Sequence, residues 1–175
     1  MEANMEDLSF CDKQCFFTGH RTIPSGDLGL LSSAVDEEIE RCYALGFRTF
    51  ICGGAVGFDT LAACRVAVAR KRHGDIELFL VLPCRNQTER WKDSRDVAVY
   101  QRLKGMADRI MYTSETYTSG CMHLRNRTMA DMSDHCIAYY NNSGRGGTAY
   151  TVRYATEQGK TVTNLHDVIK MQKLQ

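Results

Sequence analysis

Several features that define other classes of protein are scarce or absent in this sequence of 175 residues. Lys and Arg number 22 against 21 Asp and Glu, so the net charge of +1 lacks the basic excess of proteins that bind duplex DNA or anionic membranes. No apolar run approaches the roughly 20 residues that span a bilayer. The first eight residues are acidic and polar, whereas a signal peptide is basic and then apolar. These absences predict a cytosolic protein and leave open only local contacts with nucleic acid.

The eight cysteines include no CxxC pair, and the five histidines are scattered singly. The one close pair, Cys11 and Cys15, has no second pair at the spacing of a zinc site. Four cysteines lie inside apolar runs, where a reduced thiol packs as a small apolar side chain. These four are Cys15, Cys52, Cys64 and Cys136. The sequence therefore predicts buried, reduced cysteines and neither a metal site nor a cofactor.

Apolar runs of strand length alternate with stretches of helical periodicity, a pattern typical of βαβ units with parallel strands. Strands are predicted at 15–18, 48–52, 76–82, 109–112, 136–140 and 161–164. Helices are predicted at 28–42, 59–71, 121–132, 149–158 and over the last residues. We expect an N-terminal tail of residues 1–12 and one α/β domain over residues 13–175. Its doubly wound, mostly parallel sheet of six strands lies between two helical layers and binds ligand at the carboxyl ends of the strands.

Two glycine-rich segments, 53–59 and 144–148, each follow a predicted strand and precede a predicted helix. Glycine lets a ligand approach the backbone, and the helix start presents unpaired N–H groups, so both segments suit a phosphate. Either segment alone also suits a simple tight turn. The spacing GxGxxG is absent after the first strand, as is the P-loop pattern GxxxxGK[ST]. Asp59 is either a carboxylate that faces the ligand or the N-cap of its helix.

Polar and aromatic residues follow the other strands at this edge of the sheet. Arg21 suits bidentate binding of a phosphate, the alternative being a surface ion pair. His20 faces the ligand or holds its own loop by a hydrogen bond. Trp91, the only tryptophan, either stacks on a base or covers the core.

Taken in chain order from residue 13 to residue 165, these motifs resemble the YpsA-like branch of the SLOG superfamily. The resemblance implies a Rossmann-like fold, a homodimer, and a nucleotide-derived or nucleic-acid ligand. The ligand-binding residues that it implies are Thr18, Gly19, His20, Arg21, Gly53, Gly54, Ala55, Gly57, Asp59, Pro83, Gln87, Trp91, Arg125, Asn126, Gly146, Gly147 and Thr148.

The stretch Met122-His123-Leu124-Arg125-Asn126, followed by a glycine loop, is similar to the Lonely Guy phosphoribohydrolases. These enzymes cleave the base from a nucleoside monophosphate, and the resemblance implies a catalytic role for Arg125. The family also carries a Glu shortly after the second glycine loop, where a carboxylate stabilises the oxocarbenium charge of the ribose. Here the first acidic residue beyond that loop is Glu157. A sensor is therefore favoured over a hydrolase, in which Asp59 or Asp131 would have to replace the missing carboxylate.

The segment 54–59 with Ala62 and Ala63 is also similar to the loop of DprA-type proteins that binds single-stranded DNA. A local basic patch would serve that function, although DprA-type proteins carry additional segments. Its members would be Arg21, Arg85, Arg90, Arg125, Arg127 and Arg145. The sequence thus predicts first a sensor of a nucleotide-derived small molecule (a nucleoside phosphate, NAD or ADP-ribose), second a hydrolase, and third a DNA-binding protein.

Overall fold

The computed structural model describes residues 13–175, so the predicted tail and Cys11 lie outside the described residues. Six strands form one sheet in which every neighbouring pair is parallel. They are β1 (Lys13–Gly19), β2 (Phe47–Cys52), β3 (Glu77–Leu82), β4 (Arg109–Tyr112), β5 (His135–Tyr139) and β6 (Thr161–Asn164). The predicted α/β class and the doubly wound sheet of six strands are confirmed.

Six helices connect or follow these strands. They are α1 (Leu28–Ala44), α2 (Phe58–His73), α3 (Ser94–Met106), α4 (Cys121–Asp131), α5 (Gly146–Glu157) and α6 (Leu165–Gln172). Helix α3 was not predicted, because only Tyr100 and Leu103 of its 13 residues are buried and two apolar positions make no clear stripe. Helix α5 begins three residues before its predicted start, so the second glycine segment forms its first turn.

The alternation of side chains along the strands divides the core into two layers. Phe17, Phe50 and Leu80 face one side, where they pack with α1, α2, α3 and α6. Phe16, Ile51 and Val81 face the other side, where they pack with α4 and α5. Helices thus cover both faces of the sheet, as the apolar strands require.

The strand order β4-β3-β2-β1-β5-β6 places a topological switch point between β1 and β5. The chain builds the sheet outward from β1 to β4 and then returns to the opposite side of β1. The loops after β1 and β5 therefore diverge at the carboxyl edge and leave a crevice, the usual position of a ligand in such sheets.

The cysteine prediction is right at three positions and wrong at one. Cys15, Cys52 and Cys136 are fully buried, whereas Cys64 is exposed. The apolar run around Cys64 is wider than one helix face, so α2 turns Ala62, Ala63 and Val66 inward and leaves Cys64 outside. All seven cysteines of residues 13–175 are free thiols.

Across residues 13–175, no helix combines the length and the apolar character needed to cross a bilayer.

Candidate ligand-binding site

A cavity of about 320 Å³ lies at the carboxyl edge, between the loops after β1 and β2 and the start of α5. We call it the main cavity. The predicted site residues that line it are Thr18, Gly19, His20, Arg21, Ala55, Asp59, Arg125, Asn126, Gly147 and Thr148. Four separate segments of the chain thus converge on the switch point of the sheet.

Three apolar residues that were not predicted as site residues, Phe17, Met122 and Met129, also line the main cavity. Met122 and Met129 share one face of α4 with Arg125 and Asn126, since these residues are spaced by three or four positions. That spacing is visible in the sequence and could have identified them. They give the cavity an apolar wall beside its charged one, a composition common in small-molecule sites.

A buried ion pair forms the floor of the main cavity. The guanidinium of Arg125 donates to the carbonyl of Gly53 and, through Nε, to Oδ1 of Asn126 at 2.7 Å. Its Nη1 lies 4.0 Å from Oδ2 of Asp59. Burial lowers the pKa of Arg125 and raises that of Asp59, and in each case the charge of the partner opposes the effect of burial. Both groups are costly to bury singly, so each stabilises the charged form of the other.

Asp59 is not the N-cap of its helix, so that alternative is wrong. The cap position of α2 is Gly57, which makes no side-chain capping bond, whereas Asp59 lies within the first turn of the helix. Its Oδ2 accepts the backbone N–H of Ala55 at 3.2 Å. The carboxylate therefore fixes the loop after β2 and partners Arg125.

Arg21 lines the main cavity as an exposed cation. No carboxylate of residues 13–175 lies within 4.0 Å of it, so the predicted alternative of a surface ion pair is not found among these residues. The negative charge of Asp59 balances the positive charge of Arg125. The net positive charge of the site therefore comes from Arg21 and from the amino end of the helix that begins at the cavity.

That helix is α5, whose first residues, Gly146 and Gly147, come from the second glycine segment. Its cap residue, Arg145, makes no side-chain capping bond, so the first amides are left without a side-chain acceptor. A Cβ atom placed on Gly146 or Gly147 would meet no atom within 4 Å. Both glycines are exposed and Gly147 lines the main cavity, where the positive end of the helix dipole favours an anion.

The first glycine segment is crowded instead. A Cβ atom on Gly53 would collide with the guanidinium of Arg125, and one on Gly57 would collide with the backbone carbonyl of Arg21. Gly57 also has a φ of 84°. These two glycines are needed by the packing of the protein itself: Gly57 lets the loops after β1 and β2 come into contact, and Gly53 leaves room for Arg125 of α4.

His20 connects the loops on the two sides of the crevice. Its Nε2 accepts the backbone N–H of Asn141 at 3.0 Å, and its carbonyl accepts the N–H of Phe58 at 3.1 Å. The imidazole thus holds its own loop by a hydrogen bond, one of its two predicted roles, and also lines the main cavity.

The remaining predicted residues do not line the main cavity. They are Gly53, Gly54, Gly57, Pro83, Gln87, Trp91 and Gly146. Gln87 is buried and its Nε2 donates to the carbonyl of Gly54 at 3.5 Å, while its Oε1 has no hydrogen-bond partner within residues 13–175. Trp91 packs edge to face on Tyr100 with ring centroids 5.3 Å apart, and it also lines a smaller cavity next to the main one.

Within residues 13–175 one cluster has donor atoms spaced as in a metal site, namely Glu38, Cys42 and His135. Glu38 already accepts hydrogen bonds from Arg41 at 2.6 Å and lies 3.0 Å from Nε2 of His135. A guanidinium on the same carboxylate opposes a cation, so this cluster is better explained as a satisfied polar network. It lies at the amino ends of the strands, away from the main cavity.

The carboxylate expected after the second glycine segment of a phosphoribohydrolase has no counterpart near the cavity. Glu157 is the last residue of α5 and is exposed. At ~1.5 Å of helix rise per residue, it lies about 15 Å along the helix from Gly147. Asp59 is therefore the carboxylate, within residues 13–175, that lines the main cavity.

Comparison with solved structures identifies the fold class. The structure of DNA processing protein A from Helicobacter pylori superposes with a TM-score of 0.61 at 17% identity, covering 86% of this chain and 64% of that one. The X-ray structure of TM1055, a structural genomics target, gives a TM-score of 0.53 at 17% identity, covering 90% and 79%. The chain thus spans somewhat less than two thirds of the Helicobacter protein.

Sequence comparison identifies the family. The model of the YspA SLOG family matches residues 24–174, and the chain belongs to that family. The uncharacterised prophage-derived protein YoqJ of Bacillus subtilis is 29% identical over 131 residues, which cover 67% of this chain and 75% of YoqJ. A UPF0398 protein of Brevibacillus brevis is 22% identical over 155 residues, which cover 83% and 82%. The predicted membership of the YpsA-like branch is confirmed.

Proposed function

We propose that this chain is a cytosolic protein of one domain, over residues 13–175, that binds a nucleoside phosphate in the main cavity and acts as a sensor. The observation that carries the proposal is the exposed first turn of α5, which lines the main cavity together with Arg21. There the phosphate accepts hydrogen bonds from the amides of Gly147 and Thr148 and pairs with Arg21.

The opposite wall suits the nucleoside. Phe17, Met122 and Met129 offer apolar contacts to a sugar or base, while Asn126 and Thr18 offer polar ones. In this arrangement Arg125 and Asp59 position the loop after β2 and present a nearly neutral floor. The ligand therefore brings one anionic group, the phosphate, to a site in which Arg21 has no carboxylate partner among residues 13–175.

Hydrolysis of the N-glycosidic bond is the alternative, and Asp59 is the residue that would support it. Its pKa is raised by burial, as in a general acid, but the carboxylate is held against Arg125 and Ala55. A carboxylate so engaged is poorly placed to stabilise charge on the ribose. Binding without turnover agrees better with this geometry.

The test is a thermal-shift titration with AMP, other nucleoside monophosphates, NAD and ADP-ribose. A ligand at 100 times its Kd adds about 2.7 kcal/mol to the free energy of unfolding, which raises the Tm by about 5 °C or more. Arg21→Gln is expected to weaken binding about tenfold or more, because one charge-assisted contact to phosphate is lost. Arg153→Gln removes an equally exposed charge on the outside of α5 and is the matched control.

No Tm shift with any of these nucleotides would contradict the proposal. Release of free adenine from AMP, abolished by Asp59→Asn, would favour the hydrolase instead. The assay is chromatography of AMP after incubation with the protein.

Single-stranded DNA is a second candidate ligand, since the Helicobacter protein is described as binding it and has the same fold. Exposed arginines near the cavities, Arg21, Arg90 and Arg145, could follow several phosphates. A labelled oligonucleotide titrated at two salt concentrations separates the candidates, because binding of a strand weakens strongly with salt. We also propose a homodimer, which sedimentation at several concentrations tests.

A further inference from the structure

A second cavity of about 210 Å³ adjoins the main cavity, with Arg21 and Ala55 lining both. We call it the Trp91 cavity. Its other residues include Arg90, Trp91 and Lys92, from the segment between β3 and α3, and Asp96, from the first turn of α3. A group bound at Arg21 is therefore at the boundary of two spaces and can extend into either.

The Trp91 cavity carries an excess of positive charge. Three cationic side chains, Arg21, Arg90 and Lys92, face the single carboxylate of Asp96. None of the three has a carboxylate within 4 Å among the described residues. The nearby arginines behave differently, since Arg85 pairs with Glu115 at 2.8 Å and Arg95 pairs with Asp93 at 2.9 Å. Among residues 13–175, the positive charges that line this cavity are therefore not neutralised by an ion pair.

The cationic wall of the Trp91 cavity is held in place by the loop after β4. The guanidinium of Arg90 lies 3.8 Å from the ring centroid of Tyr117. The backbone N–H of Tyr117 donates to Oδ1 of Asn86 at 2.9 Å, so the two loops are joined at Asn86 and at Arg90. A preorganised cation loses little conformational freedom when it binds an anion.

Trp91 supplies an aromatic surface beside these charges. The indole is partly buried and packs edge to face with Tyr100 at an interplanar angle of 71°. It also lines the Trp91 cavity. Aromatic surface next to unpaired cations is the combination that recognises a nucleobase attached to a phosphate.

We infer that the Trp91 cavity is a second subsite, so that the ligand is a dinucleotide whose two nucleosides are joined by a pyrophosphate. This inference rests on the proposed function, which places the first nucleoside in the main cavity. The pyrophosphate lies at Arg21, the second base packs against Trp91, and Arg90 and Lys92 flank the second phosphate. A nucleoside monophosphate occupies the main cavity alone.

Trp91 is the only tryptophan of the chain, so its fluorescence reports on this subsite. The probes are AMP, ADP-ribose and diadenosine pyrophosphate, with affinities measured by calorimetry. We expect diadenosine pyrophosphate to bind about fivefold or more tightly than AMP, since stacking of a second base contributes at least that factor. It alone should change the Trp91 emission strongly, because ADP-ribose carries the pyrophosphate without a second base.

The double variant Arg90→Gln/Lys92→Gln keeps the fluorescent reporter. It should reduce the affinity for diadenosine pyrophosphate about tenfold and change that for AMP by less than about twofold. Arg127→Gln/Arg153→Gln removes two exposed charges from α4 and α5 and is the matched control.

Two results would overturn the inference. Equal affinities for AMP and diadenosine pyrophosphate, with no change in Trp91 emission, would eliminate the second subsite and leave the proposed function intact. Failure of all three probes to bind would eliminate both.

Discussion

The two glycine segments look alike in the sequence but differ in what surrounds them. At Gly53 and Gly57 a Cβ atom would collide with Arg125 or with the backbone of Arg21. At Gly146 and Gly147 it would meet open space. The first segment is therefore part of the packed protein, and the second borders the space into which a ligand can enter. A glycine-rich loop after a strand is thus ambiguous until the surroundings of each glycine are known.

Among substitutions in the two glycine segments, Gly57→Ala is expected to have the largest effect on stability. The substitution forces alanine into a φ of 84° and its methyl group into the carbonyl of Arg21, so the two loops must separate. We expect the free energy of unfolding to fall by about 3 kcal/mol or more. Urea unfolding followed by circular dichroism measures it. A loss below about 1 kcal/mol would show that the first segment is as open as the second.

Arg125→Met is expected to destabilise the protein by about 3 kcal/mol at pH 7, because it leaves the carboxylate of Asp59 buried without its cation. The pKa of Asp59, already raised by burial, then rises further. A carboxyl whose pKa is higher in the folded than in the unfolded protein contributes stability below its ordinary value of 3.8, and loses it as the pH rises through the folded pKa. The difference in the free energy of unfolding between the variant and the natural protein should therefore become smaller as the pH falls from 7 to 4, as measured by urea titrations.

The double variant Arg125→Met/Asp59→Asn is the control for that measurement. This variant has no carboxyl group at position 59. The difference between its free energy of unfolding and that of the natural protein should therefore not become smaller at low pH. If that difference became equally smaller at low pH in both variants, the effect would come from a group other than Asp59.

Gly147→Ala should have the smallest effect on stability. The residue has no positive φ and lies in the first turn of α5, so alanine should leave the free energy of unfolding unchanged or raise it by up to about 1 kcal/mol. Because Gly147 lines the main cavity, we nevertheless expect the methyl group to reduce the space left for the phosphate. We expect the affinity for AMP to fall about tenfold in calorimetry. An unchanged affinity would place the phosphate elsewhere.

Much of the sheet could be predicted because its strands are uninterrupted apolar runs between turn residues. Strands 109–112 and 161–164 were predicted with the bounds that the structure has. Helix α3 could not be predicted, because most of it faces solvent and it buries only Tyr100 and Leu103. Cys64 was misplaced for the opposite reason, since its apolar run exceeds the width of the buried face of α2.

The candidate site was harder to predict in its charges than in its position. The sequence placed Arg21, Arg125 and Asp59 at one edge of the sheet. It could not tell that Arg125 and Asp59 balance each other, because that pairing depends on how the loop after β2 meets α4 in space. That no carboxylate of residues 13–175 pairs with Arg21 is likewise a property of the folded surface.

The polar network of Glu38, Arg41 and His135 has a consequence for how acid acts on this protein. Burial opposes ionisation of Glu38, but the hydrogen bonds from Arg41, His135 and Thr163 outweigh it and lower its pKa to about 2. The stability that this carboxylate contributes is complete above its ordinary pKa of 4.5 and is lost as the pH falls through about 2. Because the network lies at the amino ends of the strands, protons weaken the sheet at one end while a ligand would strengthen it at the other. The two effects are remote enough to be additive, so a bound ligand would raise the whole stability curve without changing its dependence on acid at Glu38.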